Sequence, residues 1–229
     1  MREADRRQEI HPEGLTEAQE ALSSQLFEVG AMKFGNFKLK LHDKNPEAPL
    51  SPVYIDLRVL RRFPEAKAAA VRVYEELVQP LKFDLLADVP TAATPLVSSL
   101  SDRLGVGMVT PRTDAKVHGS GAKVDGLLEA DKGKTAVVID DLVTRADSKL
   151  EAVNVLKENG VVVKDVVVLV DRKQGGEEQL AAEGYCLHSA LTMEQMLQFY
   201  ARTGKINQNV YHDAVQRLQA LNQFLGVKS

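Results

Sequence analysis

One cysteine in 229 residues, Cys186, makes neither an internal disulfide nor a thiolate metal cage, so neither device holds this chain together. It stands in "GYCLHSAL", which alternates like a strand, and reads as a core residue. An excess of charge of either sign is also lacking: the formal net charge is −3, the pI is near 6.0, and the basic residues are scattered. That balance leaves no footprint for nucleic acid or an anionic membrane, and small molecules become the default ligands. Nor is there an apolar run long enough to cross a bilayer, and the opening "MREADRRQEIHPEG" has no secretory core, so a cytoplasmic location is expected. Repeats and low-complexity segments are absent too.

What the chain does have is alternation of helical and strand-like segments, the pattern of an α/β fold around a mostly parallel sheet flanked by helices. The capping-box form "TEAQ" starts a helix at Thr16, with Ala18, Leu22, Leu26 and Val29 on one stripe and Gly30 as its stop. "FKLKL" and "PVYIDL" read as strands separated by the turn-rich, flexible loop "HDKNPEAPLS". Pro64 and Pro95 mark helix starts, and "LLADV" is a buried strand. The second half repeats the rhythm: strand 135–139, helix about 148–159 closed by Gly160, strand "VVVLV", a short helix, strand "YCLHSAL" and a terminal helical pair opened by "TMEQ" at Thr192. The expected organisation is a charged tail over 1–15 and one domain over 16–229, with a hood from about 16–60 plus the C-terminal helices.

The stretch "VVIDDLVTRADSK", 137–149, is a hydrophobic strand running into two acids and a short polar turn that opens a helix. Ligands of open α/β sheets bind beyond the carboxyl ends of the strands, where Asp140, Asp141 and the turn 144–148 fall. The helix start favours a phosphate, while an acid pair accepts from vicinal ribose hydroxyls and tolerates its own repulsion better beside Mg²⁺. Together these describe a phosphorylated ribose. The same residues equally suit a plain strand end with Asp147 or Ser148 capping the next helix.

The stretch resembles the PRPP-binding motif of type I phosphoribosyltransferases. "KFGNFKLK" (33–40), "SPVYIDLR" (51–58), "RTDAKVHG" (112–119) and "VVVLVDRKQGG" (166–176) follow in the order found in orotate phosphoribosyltransferases, closest to the domain of eukaryotic UMP synthases, over roughly residues 20 to 205. The resemblance implies the type I phosphoribosyltransferase fold with an N-terminal hood, and Mg²⁺-dependent transfer of ribose 5-phosphate from PRPP to orotate, giving orotidine 5′-monophosphate and pyrophosphate in pyrimidine synthesis. It implies a homodimer in which a lid carrying Arg112, Lys116 and His118 completes the partner's site and stabilises the leaving pyrophosphate. Asp140 and Asp141 would act at the ribose, and Thr144, Arg145, Ala146, Asp147 and Ser148 at its phosphate. Arg172 matches the base-binding arginine, Lys40 the lysine near pyrophosphate and orotate, and Tyr54 and Ile55 the flanks of the base, one of them aliphatic here.

Departures accompany the matches. The turn "TRADS" has no glycine, which strains any residue there that needs positive φ, and Asp147 places a carboxylate beside a phosphate unless it turns away or Arg145 neutralises it. Thr113 and Val117 replace a lysine and an aspartate of the lid, and "DVPTAATP" carries Asp88 and Thr91 at altered positions of the pyrophosphate loop. A regulatory PRPP- or nucleotide-binding protein with little turnover, and a phosphoribosyltransferase for another base, therefore stay open as alternatives.

Overall fold

The computed structural model of the chain describes residues 14–43, 45–112 and 123–227. In chain order come α1 (Glu17–Glu28), the strands β1 (Met32–Phe37) and β2 (Ser51–Ile55), α2 (Pro64–Val78), β3 (Leu85–Asp88), α3 (Thr94–Leu104), β4 (Met108–Pro111) and β5 (Val124–Asp125). They are followed by β6 (Thr135–Val143), α4 (Asp147–Glu158), β7 (Val162–Asp171), α5 (Gly176–Ala182), β8 (Cys186–Thr192), α6 (Met193–Arg202) and α7 (Gln208–Phe224). β1 and β2 form an antiparallel hairpin of their own. The other six strands make one sheet in the order β5-β4-β3-β6-β7-β8, parallel except for β5.

Central strands of such a sheet are covered on both faces, which is why β6 begins as an unbroken apolar run. Ala136 and Val138 pack on one side with Ala152, Val153 and Leu156 of α4. Val137 and Ile139 pack on the other with Ala70 and Tyr74 of α2 and Leu96 of α3. β6 does not stop at Ile139, where the apolar run does. It continues through both acids to Val143, because β7 offers backbone partners at Val168, Val170 and Asp171.

The first strand lies earlier than "FKLKL" suggests. Lys33, Phe34 and Phe37 pair with Tyr54, Val53 and Ser51, and the chain then winds into a 3-10 turn, Lys40–Asp43. A buried histidine fixes that turn: His42 Nδ1 accepts from Leu39 N–H (2.9 Å), and its Nε2 lies 3.2 Å from the Pro49 carbonyl, bridging the described part of the loop. Cys186 is exposed rather than core. It opens the edge strand, and of β8 only Ala190 and Leu191 are buried, since alternation assigns a face but not a cover.

α7 packs on β2 of the hairpin and on α6, and α6 packs on α1. Capping boxes at Thr16 and Thr192 are both formed, Gln19 Nε2 donates to Ala190 O (2.7 Å), and the Tyr200 hydroxyl donates to Ser23 O (2.9 Å). Arg217 of α7 reaches Asn36 Oδ1 (2.6 Å) of β1. Leu15, just before α1, is fully buried. Among the described residues no helix is long and apolar enough to cross a membrane. Removing the second cap by Thr192→Ala is expected to lower stability by about 0.5–2 kcal/mol, read as a shift of the urea midpoint with an unchanged slope.

Candidate active site

Asp140 lies level with Val168 near the carboxyl end of β6 and is buried. Its Oδ2 sits 2.5 Å from Nζ of Lys149, itself buried in the first turn of α4. Its Oδ1 accepts from Asp141 N–H (2.8 Å), and its carbonyl accepts from the buried Tyr74 hydroxyl (2.7 Å). Lys149 is a site residue that the motif reading missed. Its signal is there in the sequence: Lys149, Ala152, Val153 and Leu156 share i, i+3, i+4, i+7 spacing, so the lysine occupies the buried stripe of α4. Asp141 is left without such a partner. Burial, and then the charge of Asp140, push its carboxyl up to about 7, against a smaller pull downward from Lys149. One acid is thus neutralised by an internal ammonium, and the other exchanges its proton near neutrality.

The glycine-free turn is unstrained. Positive φ occurs nowhere in 144–148, and Ala146, the residue before α4, has φ −89° and ψ 7°. No side chain caps this helix, so neither Asp147 nor Ser148 plays that part. Gln179 of α5 takes the Ala146 N–H on Oε1 and donates through Nε2 to Asp147 Oδ1, each at 2.9 Å. The Asp147 carboxylate is therefore held toward a neutral amide. Arg145 is exposed and, among the described residues, makes no ion pair, so it is not the neutraliser of Asp147. Thr144 is half-buried, and Ser148 is exposed with Oγ 3.4 Å from Lys149 Nζ. α5 can lean on this turn only because Gly176 has no Cβ, which would stand 2.4 Å from Val143 Cγ2.

Arg172 leaves β7 beside that turn, its N–H donating to Val143 O (3.0 Å). The guanidinium is buried and, among the described residues, has no carboxylate partner. Nε donates to Gln174 Oε1 (3.1 Å), and Nη2 to Ser51 Oγ (3.0 Å) and Val53 O (3.5 Å) of β2. The acids that might have paired with it, Asp171 and Glu177, instead take Lys173 Nζ at 3.1 and 2.5 Å. Burial holds the pKa of Arg172 down to about 10, so it stays charged at neutral pH. Lys173 adopts φ +52°, the one left-handed non-glycine among the described residues.

Other candidates are farther from this edge or differently engaged. Asp88 at the end of β3 is fully buried, and its two oxygens accept from Thr94 and Thr110 hydroxyls, which turns the extra acid of the pyrophosphate loop inward. Arg61 Nη2 donates to Thr91 O in that loop (2.9 Å). Arg112, past β4, forms a two-point pair with Asp125 at 2.7 Å. Tyr54 is half-buried, with Arg58 Nη2 donating to its hydroxyl (3.2 Å). Its aromatic neighbour is Phe37, ring centroids 5.6 Å apart, whereas Ile55 belongs to the core. Lys40 is exposed on the 3-10 turn, and nothing among the described residues ties it to Arg172 or the acids. Thr113, Lys116, Val117 and His118 lie outside the described residues.

Among the described residues no three His, Cys, Asp or Glu side chains gather as a metal site. With Asp140 bound to Lys149, only Asp141 of the pair is available to a cation. That suits Mg²⁺, which takes one or two carboxylates and completes its shell with substrate oxygens and water.

A mostly parallel six-stranded sheet flanked by helices is the type I phosphoribosyltransferase fold, shared with the solved orotate phosphoribosyltransferase of Aeropyrum pernix at a TM-score of 0.66 and 30% identity over 80% of this chain and 99% of that one. No family model matches the chain. It is similar to the orotate phosphoribosyltransferase of Methanopyrus kandleri, 35% identical over 177 residues that cover 77% of this chain and 91% of that one. It is also similar to the uridine 5′-monophosphate synthase of Bos taurus, 33% identical over 207 residues, 90% of this chain and 41% of the bovine protein. Among solved structures, the UMP synthase of Leishmania donovani superposes with a TM-score of 0.75 at 32% identity, over 91% of this chain and 42% of that one. The chain thus spans about two fifths of these longer relatives. It belongs to the orotate phosphoribosyltransferase family.

Two expectations follow from the acid pair. Asp140→Asn strands a buried ammonium and is expected to lose about 3–5 kcal/mol of stability, while adding Lys149→Met recovers much of the loss, a non-additivity that denaturant titration of the single and double variants reads directly. The second concerns pH. Native Asp141 keeps its proton up to about 7 whereas the unfolded chain releases it near 3.8, so the native state binds more protons between these values and stability falls as pH rises through that window. Asp141→Asn should therefore exceed the parent in stability at pH 8 by at least about 1 kcal/mol, with the difference vanishing at pH 4.

Proposed function

We propose that this chain is an Mg²⁺-dependent orotate phosphoribosyltransferase, acting in the cytoplasm as a homodimer with shared sites and making orotidine 5′-monophosphate for pyrimidine synthesis. The observation that carries the reading is Arg172: a buried guanidinium with no carboxylate partner among the described residues, one strand from an acid pair and a helix-opening turn. A buried cation without a counter-charge is costly unless a ligand supplies one, and orotate brings a carboxylate. The relatives' names point to the same base and pathway.

In this reading Arg172 grips the carboxylate and Tyr54 lines the ring. Asp140 and Asp141 receive the ribose hydroxyls, with Lys149 setting the first acid in place. The N–H groups of 144–148 other than that of Ala146, which Gln179 takes, hold the 5-phosphate, and Lys40 serves pyrophosphate. A ring nitrogen of orotate forms the new bond to ribose C1 as the bond from C1 to pyrophosphate breaks. The partner's Arg112, the partner's Lys116 and the partner's His118 offset the charge gathering on pyrophosphate. When bound beside Asp141, Mg²⁺ would supply further stabilisation of that charge.

Loss of orotate's ultraviolet absorbance with PRPP and Mg²⁺, abolished by EDTA, is the expected result. Arg172→Lys should raise the orotate KM by about 10- to 100-fold, the value of a charged two-point contact. PRPP binding without absorbance loss would instead select a PRPP-binding protein with little turnover.

A further inference from the structure

Most buried guanidinium groups rest on a carboxylate, which fixes their plane and cancels their charge together. Arg172 separates these two effects. Its plane is fixed by neutral acceptors alone, Ser51 Oγ, Val53 O and Gln174 Oε1, while Nη1 has no partner among the described residues. Among the described residues no carboxylate compensates the charge.

The amide that does part of this is itself oriented from outside the sheet. Gln174 is fully buried, and its Nε2 donates to Asn222 Oδ1 of α7 (3.2 Å). Asn222 Nδ2 in turn donates to the carbonyl of Lys173 (3.2 Å), the residue at φ +52°. An amide has one accepting and one donating end, so an acceptor placed at Nε2 obliges Oε1 to face Arg172 Nε. Resting on the function proposed above, we propose that Gln174, set by Asn222, is a specificity-determining positioning residue: it aims Arg172 without neutralising it, so that the site selects a carboxylate-bearing pyrimidine over its uncharged analogue.

The test compares Gln174→Glu, which puts a negative charge on Arg172 Nε, with Gln174→Met, which keeps the volume and removes the acceptor. Read out are kcat/KM for orotate and for uracil, PRPP affinity, and orotate binding by calorimetry without turnover. Gln174→Glu is expected to weaken orotate about tenfold or more and to narrow the orotate-to-uracil ratio by the same factor, with PRPP affinity within about twofold of the parent. Gln174→Met should weaken orotate less than Gln174→Glu does. An unchanged ratio, an equal loss of PRPP binding, or a methionine variant as damaging as the glutamate overturns the proposal in favour of plain packing. If the parent chain turns over neither base, the orotate reading fails by itself. Calorimetry then decides: orotate held by the parent but not by Gln174→Glu keeps the inference, and no difference, or no binding by the parent, ends it.

Discussion

The candidate site rests on the ion pair between Asp140 and Lys149. Two adjacent carboxylates on a strand covered from both faces repel each other by about 4 kcal/mol at contact range, on top of the loss of their hydration. An ammonium from the first turn of α4 answers one of them and ties the helix to the strand at the point where the turn 144–146 bends. With Asp140 satisfied, β6 stays paired with β7 through Val143, and the turn, Gly176 and Arg172 acquire their positions from that extension.

The charge on the two neighbouring strand ends is balanced in opposite ways. On β6 an acid is given an internal cation, and the remaining acid titrates near neutral pH. On β7 a cation is given only neutral acceptors, and its natural acidic neighbours are drawn off by Lys173. The edge therefore carries a carboxyl that titrates near neutral pH on β6 and, one strand over, a guanidinium with no acidic partner among the described residues.

The turn 144–148 shows why this backbone does not require glycine. Glycine is needed only where φ is positive or a neighbour approaches too closely, and 144–148 meets neither condition. The close approach falls one element away, at Gly176, where Val143 leaves no room for a Cβ. Asp147 is accommodated by the amide of Gln179 across the same gap.

Local signals in the sequence determined a good deal: the α/β alternation, the capping boxes at Thr16 and Thr192, the buried run that opens β6, and the stations of the turn and Arg172 just past strand ends. Each depends on periodicity or on a few consecutive residues, which the chain states directly. Tertiary structure decided which charges meet. Lys149 reaches Asp140 nine residues earlier, Gln179 reaches Asp147, Asn222 orients Gln174, and Asp88 turns inward to Thr94 and Thr110. It also decided that Cys186 stays uncovered on an edge strand and that Tyr54 meets Phe37. Partner choice between charges depends on distance and dielectric across separate elements, and neither quantity exists until the sheet and its helices are assembled.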